Sequence, residues 1–281
     1  MEIFKDCESL QKHLSALRQK GTTIGFVPTM GALHAGHISL VEKAGAENDI
    51  SVVSIFVNPT QFNNKEDLEK YPRDSDSDFK LLEQNGCDIV FAPSVEEMYP
   101  EVDNRVFELG SVAQVMEGKF RPGHFNGVCQ IVSKLLNLVK PDKAYFGQKD
   151  YQQIAVVKKM VHKYMPELKT EIVTCQIKRE KDGLAMSSRN TRLTPSQRKS
   201  AVIISQTLSK AKDCFKKGGT QKEIIDTVKK GIASDVNLLL EYVEIADKDT
   251  LLPIPDSKPV NAVICITVYC GSIRLIDNVL L

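Results

Sequence analysis

Short hydrophobic runs alternate with amphipathic stretches along the first two thirds of the chain. Thr22–Val27, Ile50–Val57 and Asp88–Ala92 are hydrophobic runs with β-branched residues, and they predict buried strands. Between the first two runs, apolar residues recur at helical spacing after His37. This strand–helix–strand unit has the length that a parallel crossover needs. The pattern therefore favours a parallel sheet.

The same alternation continues to about residue 177. Phe125–Val139 and Asp150–Tyr164 show the periodicity of helices, and the runs KAYF and TEIVTCQI predict two more strands. Ser75 and Asp78 have the spacing of a capping box and predict the start of a further helix. Strands that alternate with helices predict an α/β fold, in which helices cover both faces of a Rossmann-like parallel sheet.

After residue 177 the pattern changes. Capping boxes at Thr194 and Thr220 open two helices, and the runs LLLEYVEI, AVICITVY and SIRLID then predict strands. The last two runs are joined by Cys270-Gly271 and predict a hairpin. We therefore expect a Rossmann-like domain over residues 1–177 and a smaller α+β domain over residues 178–281.

Composition narrows the class of protein. The 281 residues are 42% hydrophobic, enough for a sizeable core, and carry a net charge of +1. That charge argues against a nucleic-acid-binding protein that relies on a basic face, but it does not exclude a local patch. No apolar run reaches the length of a membrane span, and the charged N-terminus does not resemble a signal peptide. Seven scattered cysteines without a Cys-x-x-Cys pair indicate reduced thiols and a cytoplasmic location.

The stretch PTMGALHAGH, Pro28–His37, lies between the first strand and a helix. Glycine at such a turn lets the backbone approach a ligand, and helix N-terminal amides favour an anion, usually phosphate. The stretch lacks the Gly-x-Gly-x-x-Gly dinucleotide fingerprint. Gly31 and Gly36 have P-loop spacing, but His37 stands in place of the P-loop lysine and Ile38 in place of its hydroxyl residue. We therefore expect a phosphate site of another kind.

Two of the five histidines lie in this turn. Because His34 and His37 are three residues apart at a helix start, they share a face and can both point at one ligand. Imidazoles there can donate hydrogen bonds to phosphate oxygens as charge builds up in a transition state. Two alternatives stay open. One is a structural pair that caps the helix, and the other is a zinc site, for which the sequence offers no third ligand at a characteristic spacing.

Two further segments carry groups suited to phosphate. In FGQKD, Lys149 follows a strand and can neutralise phosphate charge, while Asp150 either caps the next helix or meets a ribose hydroxyl. Gln153 shares their helix face and suits an uncharged polar group of a substrate. The loop DGLAMSSRN, residues 182–190, offers two serines and an arginine to a polyphosphate. By itself it is typical of a solvated turn, but at a domain junction it can close over a ligand.

Polar side chains also follow the second strand and precede the helix at Phe125. Gln61 lies at the expected carboxyl edge of the sheet, where substrates bind, although Asn58-Pro59 is equally typical of an ordinary turn. His124, in RPGHFNG, is either a ligand contact or a helix cap. The residues alone leave these alternatives open.

Taken together, these stretches resemble a known family. PTMGALHAGH is similar to the His-x-Gly-His signature of the nucleotidyltransferase superfamily, which class I aminoacyl-tRNA synthetases share. MSSRN is similar to the second, Lys-Met-Ser-Lys-Ser-type signature of that superfamily. The ordered set FVPTMGALHAGH, FVNPTQF, YPRD, RPGHFNGV, AYFGQKDYQQ and DGLAMSSRN resembles the pantothenate synthetase (pantoate–β-alanine ligase) family. The resemblance runs from about Thr22 to Leu193.

The resemblance implies an ATP-dependent ligase. That family joins D-pantoate to β-alanine and releases AMP and pyrophosphate, through an enzyme-bound pantoyl adenylate. It also implies Mg²⁺ that accompanies ATP, no dedicated metal cage in the protein, a homodimer, and a C-terminal domain that closes over the active site. Such chemistry needs aligned reactants and neutralised leaving phosphates rather than a nucleophilic side chain.

The resemblance further implies roles for individual residues. Catalytic contacts fall on His37, His34, Lys149, Ser187, Ser188 and Arg189. The ATP-binding set comprises Pro28, Met30, Gly31, Ala32, Leu33, His34, Ala35, Gly36, His37, Gly147, Gln148, Lys149, Asp150, Lys178, Met186, Ser187, Ser188 and Arg189. Gln61 and Gln153 are expected to hold pantoate, with Gln61 also near β-alanine, and His37 is expected to act as proton donor.

Two positions depart from the family pattern. Lys178 stands where a small apolar residue, often valine, is expected beside the adenine. Lysine should be tolerated there if the contact is made by the backbone, whereas a side-chain contact would alter nucleotide affinity. The run Asp74–Asp78 holds fewer consecutive acids than expected, so we assign it no metal role.

The nearest alternative function is a nucleotidyltransferase of the same superfamily that leaves AMP on a coenzyme precursor. It would share the histidine turn but would not need Gln61 and Gln153. A tRNA synthetase would need a tRNA-binding surface, which neither the net charge nor the small second domain supplies. A non-enzymatic phosphate-binding module would explain the histidine turn but not three separate phosphate-type segments.

Overall fold

Parallel strands occupy the first part of the chain, and antiparallel strands follow. The structure is a computed structural model, and it describes residues 1–254 and 261–281. The chain divides into two units. Unit 1 comprises Met1–Leu109, Arg121–Gly147 and Val156–Cys175, and unit 2 comprises Gly110–Phe120, Gln148–Ala155 and Gln176–Leu281. Two segments that precede residue 177 in the sequence, 110–120 and 148–155, therefore belong to the same unit as the C-terminal part.

Unit 1 contains a six-stranded parallel sheet with the order β1-β4-β3-β2-β5-β6. Its strands are β1 (Glu2–Phe4), β2 (Ile24–Thr29), β3 (Ile50–Ile55), β4 (Ile89–Phe91), β5 (Lys143–Gly147) and β6 (Glu171–Cys175). The predicted α/β parallel sheet is confirmed. Strand β1, which the hydrophobic pattern does not predict, adds an edge to the sheet by pairing with β4.

The described chain contains both long and short α-helices, and α1 to α8 lie between the parallel strands in the sequence. The α-helices of the described chain are α1 (Cys7–Gln19), α2 (Ala35–Glu47), α3 (Lys65–Glu69), α4 (Ser75–Gln84), α5 (Val95–Met98), α6 (Glu117–Phe120), α7 (His124–Val139), α8 (Tyr151–Tyr164), α9 (Pro195–Lys216) and α10 (Gln221–Ile232). The long helices predicted around residues 125–139 and 150–164 are thus confirmed, with α7 beginning one residue earlier and α8 one residue later.

Both faces of the parallel sheet are covered. Val27 and Val53 pack with Ile38 and other apolar residues of α2, which places α2 on one face. Their chain neighbours, such as Phe26, point to the opposite face and are equally buried. A strand that is buried on both sides needs a continuous hydrophobic run, which is the pattern that the sequence shows.

The order of the strands reverses at β2. From β2 the chain continues to β3 on one side, whereas β5 pairs with β2 on the other side. In open α/β sheets, ligands bind outside the carboxyl ends of the strands at such a reversal. The turn that follows β2 begins at Met30 and contains the two histidines of the sequence motif.

The predicted capping box at the start of α4 is wrong. Asp74, one residue earlier, is the N-cap, and its side chain accepts a hydrogen bond from the Ser77 N–H at 3.1 Å. Ser75 is instead the first residue of the helix. A carboxylate is as good a cap as a serine hydroxyl, so the local pattern did not distinguish the two registers. Asp78 therefore has no capping role and contacts another part of unit 1.

Unit 2 contains a three-stranded antiparallel sheet in the order β7 (Leu238–Asp247), β8 (Ala262–Cys270) and β9 (Ile273–Leu280). The predicted hairpin is confirmed, and Gly271 takes a positive φ of 58° in its turn. Capping boxes at Thr194 and Thr220 open α9 and α10, as predicted. These helices pack on one sheet face through a core that includes Ile204, Leu208, Ile224, Ile264 and Val268.

A buried ionic network holds α6 in unit 2. The Arg274 guanidinium donates two hydrogen bonds to the Glu117 carboxylate, both at 2.7 Å, and also bonds to Glu241. The hydroxyls of Tyr242 and Thr267 donate to the same Glu117 carboxylate at 2.8 and 3.0 Å. Because every oxygen of the buried Glu117 side chain has donors, its charge is compensated despite burial.

Candidate active site

The turn after β2 is held by a buried carboxylate. Asp78 Oδ2 accepts the backbone N–H of Ala32 at 2.9 Å, and Asp78 Oδ1 accepts that of Leu33 at 2.7 Å. Asp78 is only 4% exposed, and burial raises the pKa of its carboxyl above the ordinary value although the two amide bonds act in the opposite direction. The carboxylate thus fixes the backbone directly before His34.

The backbone of this turn is unusual in two successive residues. Gly31 has a φ of 77° and Ala32 a φ of 49°, both in the left-handed region. A Cβ on Gly31 would lie 2.9 Å from Asp78 Oδ2, so glycine also allows the close approach of the carboxylate. Left-handed backbone at a non-glycine residue costs about 1–2 kcal/mol, which the Asp78 anchor offsets.

The two predicted histidines are brought together. His34 is the N-cap of α2, its Nδ1 accepts the Gly36 N–H at 3.1 Å, and His37 Nδ1 accepts the His34 N–H at 3.3 Å. The two ring centroids are 4.1 Å apart. A neutral imidazole that accepts at Nδ1 carries its proton on Nε2, so both rings present an Nε2–H donor. The two histidines therefore cap the helix, which is one of the alternatives drawn from the sequence. They also form a pair of oriented N–H donors.

Gln61 lies in a short turn after β3. Pro59–Gln61 form one turn of 3-10 helix, and Gln61 Nε2 lies 2.8 Å from the sulfur of Met30. Asn58, which is 1% exposed, donates to Gln61 Oε1 and to the carbonyl of Gly127, both at 3.1 Å. The structure thus brings Gln61 next to Met30, a member of the predicted ATP-binding set.

His124 supports the backbone of that turn. Its Nδ1 lies 2.9 Å from the Gln61 carbonyl oxygen, and its Nε2 lies 3.1 Å from Arg121 NH1. Because the arginine can only donate, His124 accepts at Nε2 and donates from Nδ1. The cap alternative for His124 is wrong, since Gly123 is the N-cap of α7.

Glycine at position 127 permits the close packing of α7 against the same turn. A Cβ there would lie 2.3 Å from the Thr60 carbonyl oxygen and 2.8 Å from the Gln61 nitrogen. No side chain can occupy that space without moving the turn. The position of Gln61 is thus determined by Asn58, His124 and Gly127.

The FGQKD segment places Lys149 in unit 2. Strand β5 ends at Gly147, and Gln148–Asp150 form one turn of 3-10 helix before α8. The Lys149 side chain is 18% exposed, and its Nζ lies 3.7 Å from Asp150 Oδ1. Gln153, half-buried in the first turn of α8, makes no hydrogen bond through its side chain to any residue in 1–254 or 261–281. Its amide is therefore available to a substrate.

The serine-rich loop is ordered by bonds within unit 2. The Lys178 carbonyl accepts the Met186 N–H at 3.0 Å, and Ser187 caps a 3-10 helix over Ser188–Arg192 by accepting the Arg189 N–H at 3.3 Å. Lys178 itself is exposed, and its backbone shapes the loop. The loop is thus a folded structure and not merely a solvated turn.

Arg179 anchors that loop to β9. Its guanidinium binds the two oxygens of Asp277 at 2.7 and 2.9 Å and also donates to the Gly183 carbonyl at 3.1 Å. Neither Arg179 nor Asp277 stands out in the sequence, because the pair joins distant positions. The same holds for Asp78, which the local pattern assigned to a helix cap.

Within residues 1–254 and 261–281, neither a metal-binding cluster nor a membrane helix accompanies the candidate site. In the described ranges, no group of three or more His, Cys, Asp or Glu side chains is arranged to hold a metal ion. No helix among the same residues is long and apolar enough to cross a membrane. All seven cysteines are free thiols.

Comparison with known proteins identifies the family. Residues 2–280 match the family profile described as Pantoate-beta-alanine ligase. The chain belongs to the pantoate–β-alanine ligase family. It is 54% identical to a pantothenate synthetase of Bacteroides fragilis over 280 residues, covering 99% of this chain and 98% of that protein. It is 56% identical to one of Phocaeicola vulgatus, with 99% of both chains covered.

Solved structures of the pantoate–β-alanine ligase family agree with this fold. The pantothenate synthetase of Thermus thermophilus superposes with a TM-score of 0.93 at 40% identity, and 99% of each chain is covered. The ligase of Francisella tularensis, complexed with beta-gamma ATP and β-alanine, gives a TM-score of 0.80 at 35% identity, with 100% of this chain and 97% of that chain covered. The family resemblance of the sequence motifs and the predicted fold class are both confirmed.

Proposed function

We propose that this chain condenses D-pantoate with β-alanine at the expense of ATP, giving pantothenate, AMP and pyrophosphate. The observation that carries the proposal is family membership along nearly the whole chain, residues 2–280. A related ligase complexed with beta-gamma ATP and β-alanine supports the choice of two of the substrates. The chain is therefore an acid–amino-acid ligase that forms AMP and serves pantothenate biosynthesis.

The reaction proceeds in two steps. A pantoate carboxylate oxygen attacks the α-phosphorus of ATP, and the bond to the β-phosphate oxygen breaks, releasing pyrophosphate. The β-alanine amine then attacks the carbonyl carbon of the pantoyl adenylate, AMP leaves, and the amine loses a proton. Neither step needs a covalent bond to the protein, so the protein's task is to align reactants and to stabilise developing charge.

His34 and His37 are proposed to contact the ATP phosphates through Nε2–H. Both rings are oriented by backbone bonds to Nδ1, so their donors need no reorganisation when negative charge develops on the leaving phosphates. His37 is the proposed proton donor. The positive end of the α2 dipole, at the start of the helix at Ala35, favours the same anion.

The unit 2 residues are proposed to bind the rest of the nucleotide. Lys149 supplies a positive charge for the phosphates, and the loop Met186–Arg189 supplies two hydroxyls and a guanidinium. Lys178 is proposed to contact adenine through its backbone, which agrees with the exposure of its side chain.

Gln61 and Gln153 are proposed to bind pantoate, and Gln61 also to lie near β-alanine. Neutral amides donate to a hydroxyl or carboxylate oxygen without adding a charge that would compete with the phosphate site. The lack of a hydrogen-bond partner for the Gln153 side chain within the described residues supports its role in binding a substrate.

Three further properties are proposed on the basis of family membership. The nucleotide substrate is the Mg²⁺ complex of ATP, in which phosphate oxygens and water hold most of the ion. The protein is a homodimer, which sedimentation at assay concentration would test. It is located in the cytoplasm, which its seven free thiols support.

The decisive experiment mixes the protein with Mg²⁺, ATP and D-pantoate, with and without β-alanine, and identifies the products. Pyrophosphate that forms only with pantoate, and pantothenate with AMP that form only after β-alanine is added, are the expected results. ADP and phosphate would refute attack at the α-phosphorus. AMP that stays attached to a coenzyme precursor would establish the alternative nucleotidyltransferase.

Two variants test the proposed residues. His37→Ala should slow adenylation by roughly 10²–10³-fold, the usual effect of losing a transition-state donor, while His162→Ala on the exposed face of α8 should not. Gln153→Ala should raise KM for pantoate and leave ATP binding intact. Equal loss of both affinities would show that Gln153 has a structural role instead.

A further inference from the structure

Two neighbouring residues of β9, Asp277 and Asn278, contact two segments of unit 2 that are proposed to bind ATP. One segment is the turn Gln148–Asp150, and the other is the loop that runs from Arg179 to Arg189. Asp277 binds Arg179, which belongs to the loop that continues to Met186–Arg189. The Asn278 side chain donates to the carbonyl oxygens of Gln148 and Lys149 at 2.8 and 3.0 Å. It also accepts from Gln148 Nε2 at 3.1 Å. Each segment therefore has an anchor on the same strand.

The strand geometry explains how adjacent residues reach two segments. Successive side chains of a strand point to opposite faces of the sheet. Asp277 therefore lies on the same face as Ile273 and Leu275, which pack in the core of unit 2. Asn278 lies on the opposite face, together with Arg274. One short stretch of backbone thus supports one segment from each face.

Both anchors are buried and fully bonded. Asp277 is 4% exposed and Asn278 is 2% exposed. The Asn278 N–H donates to Asp277 Oδ1 at 2.8 Å, which links the two anchors directly. A buried polar group that loses its partner costs about 1–3 kcal/mol, so this arrangement resists displacement of either segment.

We propose that Asp277 and Asn278 are a positioning pair for ATP, which sets the places of Lys149 and of the loop Met186–Arg189. This inference rests on the proposed roles of those residues in binding the nucleotide. The pair itself does not touch substrate. It acts through the backbone of Gln148 and Lys149 on one face and through Arg179 on the other.

A double-mutant cycle tests the part of the inference that concerns Asn278. Asn278→Ala should lower kcat/KM for ATP in pyrophosphate release by about 10- to 100-fold, because displacement by about an ångström costs that much. In a Lys149→Ala background the same change should cost less than about twofold, since its effect passes through Lys149. A parallel cycle combines Asp277→Asn with Arg189→Ala. Asp277→Asn alone should lower kcat/KM for ATP, and it should have little further effect in the Arg189→Ala background.

The controls separate positioning from stability. Ser200→Ala removes the hydrogen bond that the buried Ser200 hydroxyl donates to Asp235 in unit 2, without touching either segment, and should leave kcat/KM for ATP within about twofold. Every variant is also assayed for thermal unfolding, and Asn278→Ser replaces Asn278→Ala if the latter is not folded at the assay temperature. A loss of rate that matches the loss of folded protein would overturn the inference.

Three other results would overturn it as well. Asn278→Ala with normal ATP kinetics would show that the anchor has no effect on the nucleotide. Equal factors with and without Lys149 would show an effect that does not pass through that side chain. Normal kinetics of Lys149→Ala alone would refute the proposed role of Lys149 and thereby remove the basis of the inference, an outcome visible without any change at Asn278.

Discussion

Replacing Asp78 by asparagine should disable the histidine turn while leaving the fold intact. The carboxylate offers two acceptor oxygens, one to the Ala32 N–H and one to the Leu33 N–H. Asparagine keeps one oxygen but turns an NH2 group toward the other amide. One partly buried N–H donor then loses its acceptor, which costs about 1–3 kcal/mol. That energy is comparable to the cost of the left-handed backbone at Ala32, so the turn should relax to another conformation.

The expected effect on activity follows from the population of the competent turn. A penalty of about 1–3 kcal/mol lowers that population by about 5- to 150-fold. Burial disfavours the Asp78 carboxylate and raises its pKa, so a neutral asparagine relieves a cost at the same time. We therefore expect the free energy of unfolding to change by less than about 1 kcal/mol, because the two effects oppose each other. Asp78→Asn should therefore lower the adenylation rate while the free energy of unfolding stays nearly unchanged.

The assay is pyrophosphate release in the presence of ATP and pantoate, with urea unfolding as the second readout. Asp76→Asn is the matched control, because it makes the same chemical change in the same helical turn at an exposed residue. Asp78→Asn with the adenylation rate of the unchanged protein would refute the reasoning. So would a loss of rate fully explained by unfolding.

The pKa of Asp78 adds a pH dependence. Because burial, with a smaller contribution from Asp74, raises the pKa above 3.8, acidification protonates Asp78 before an ordinary aspartate. Protonation stabilises the folded state relative to the unfolded one, and that contribution is lost as pH rises through the folded pKa. The turn, however, loses one of its two acceptors on protonation. The adenylation rate should therefore fall on the acid side at a pH above 3.8 in the unchanged protein, and Asp78→Asn should lack this acid limb.

Three further predictions concern packing, charge and thiols. Gly127→Ala should raise KM for pantoate, because its Cβ would lie 2.3 Å from a backbone carbonyl of the Gln61 turn, and an unchanged KM would contradict this. Glu117→Ala should lower the free energy of unfolding by about 3 kcal/mol, because it deprives the half-buried Arg274 guanidinium of a partner. A loss under about 1 kcal/mol in urea unfolding would contradict this. Iodoacetamide at pH 8 should label half-buried Cys214 and spare Cys87, because burial raises the pKa of the Cys87 thiol to about 12. Equal labelling of the two cysteine-containing peptides would refute this.

The sequence predicts those parts of the fold that depend on local patterns. The buried runs around Val27 and Val53 and the capping boxes at Thr194 and Thr220 each contain their own signal within a few residues. His34 and His37 are likewise found by their spacing and by the turn that contains them.

The contacts that the sequence does not predict join residues that are far apart in the chain. Asp78 binds amides 45 and 46 positions away, and nothing within its own helix distinguishes it from Asp74 or Asp76. Asp277 and Asn278 occur in an ordinary alternating strand, and their partners lie 98 to 130 residues away. Propensities describe what a segment prefers by itself, and they contain no information about such partners.

The separation between Arg179 and Asp277 has a consequence for synthesis of the chain. The two residues are 98 positions apart, so at a usual rate of elongation roughly 5–20 s passes between their additions. During that interval the loop that contains Arg179 and the segment that contains Lys149 both exist without their anchors. A nascent chain that has not yet reached β9 should therefore bind ATP poorly, and competence for the nucleotide should be acquired late in translation.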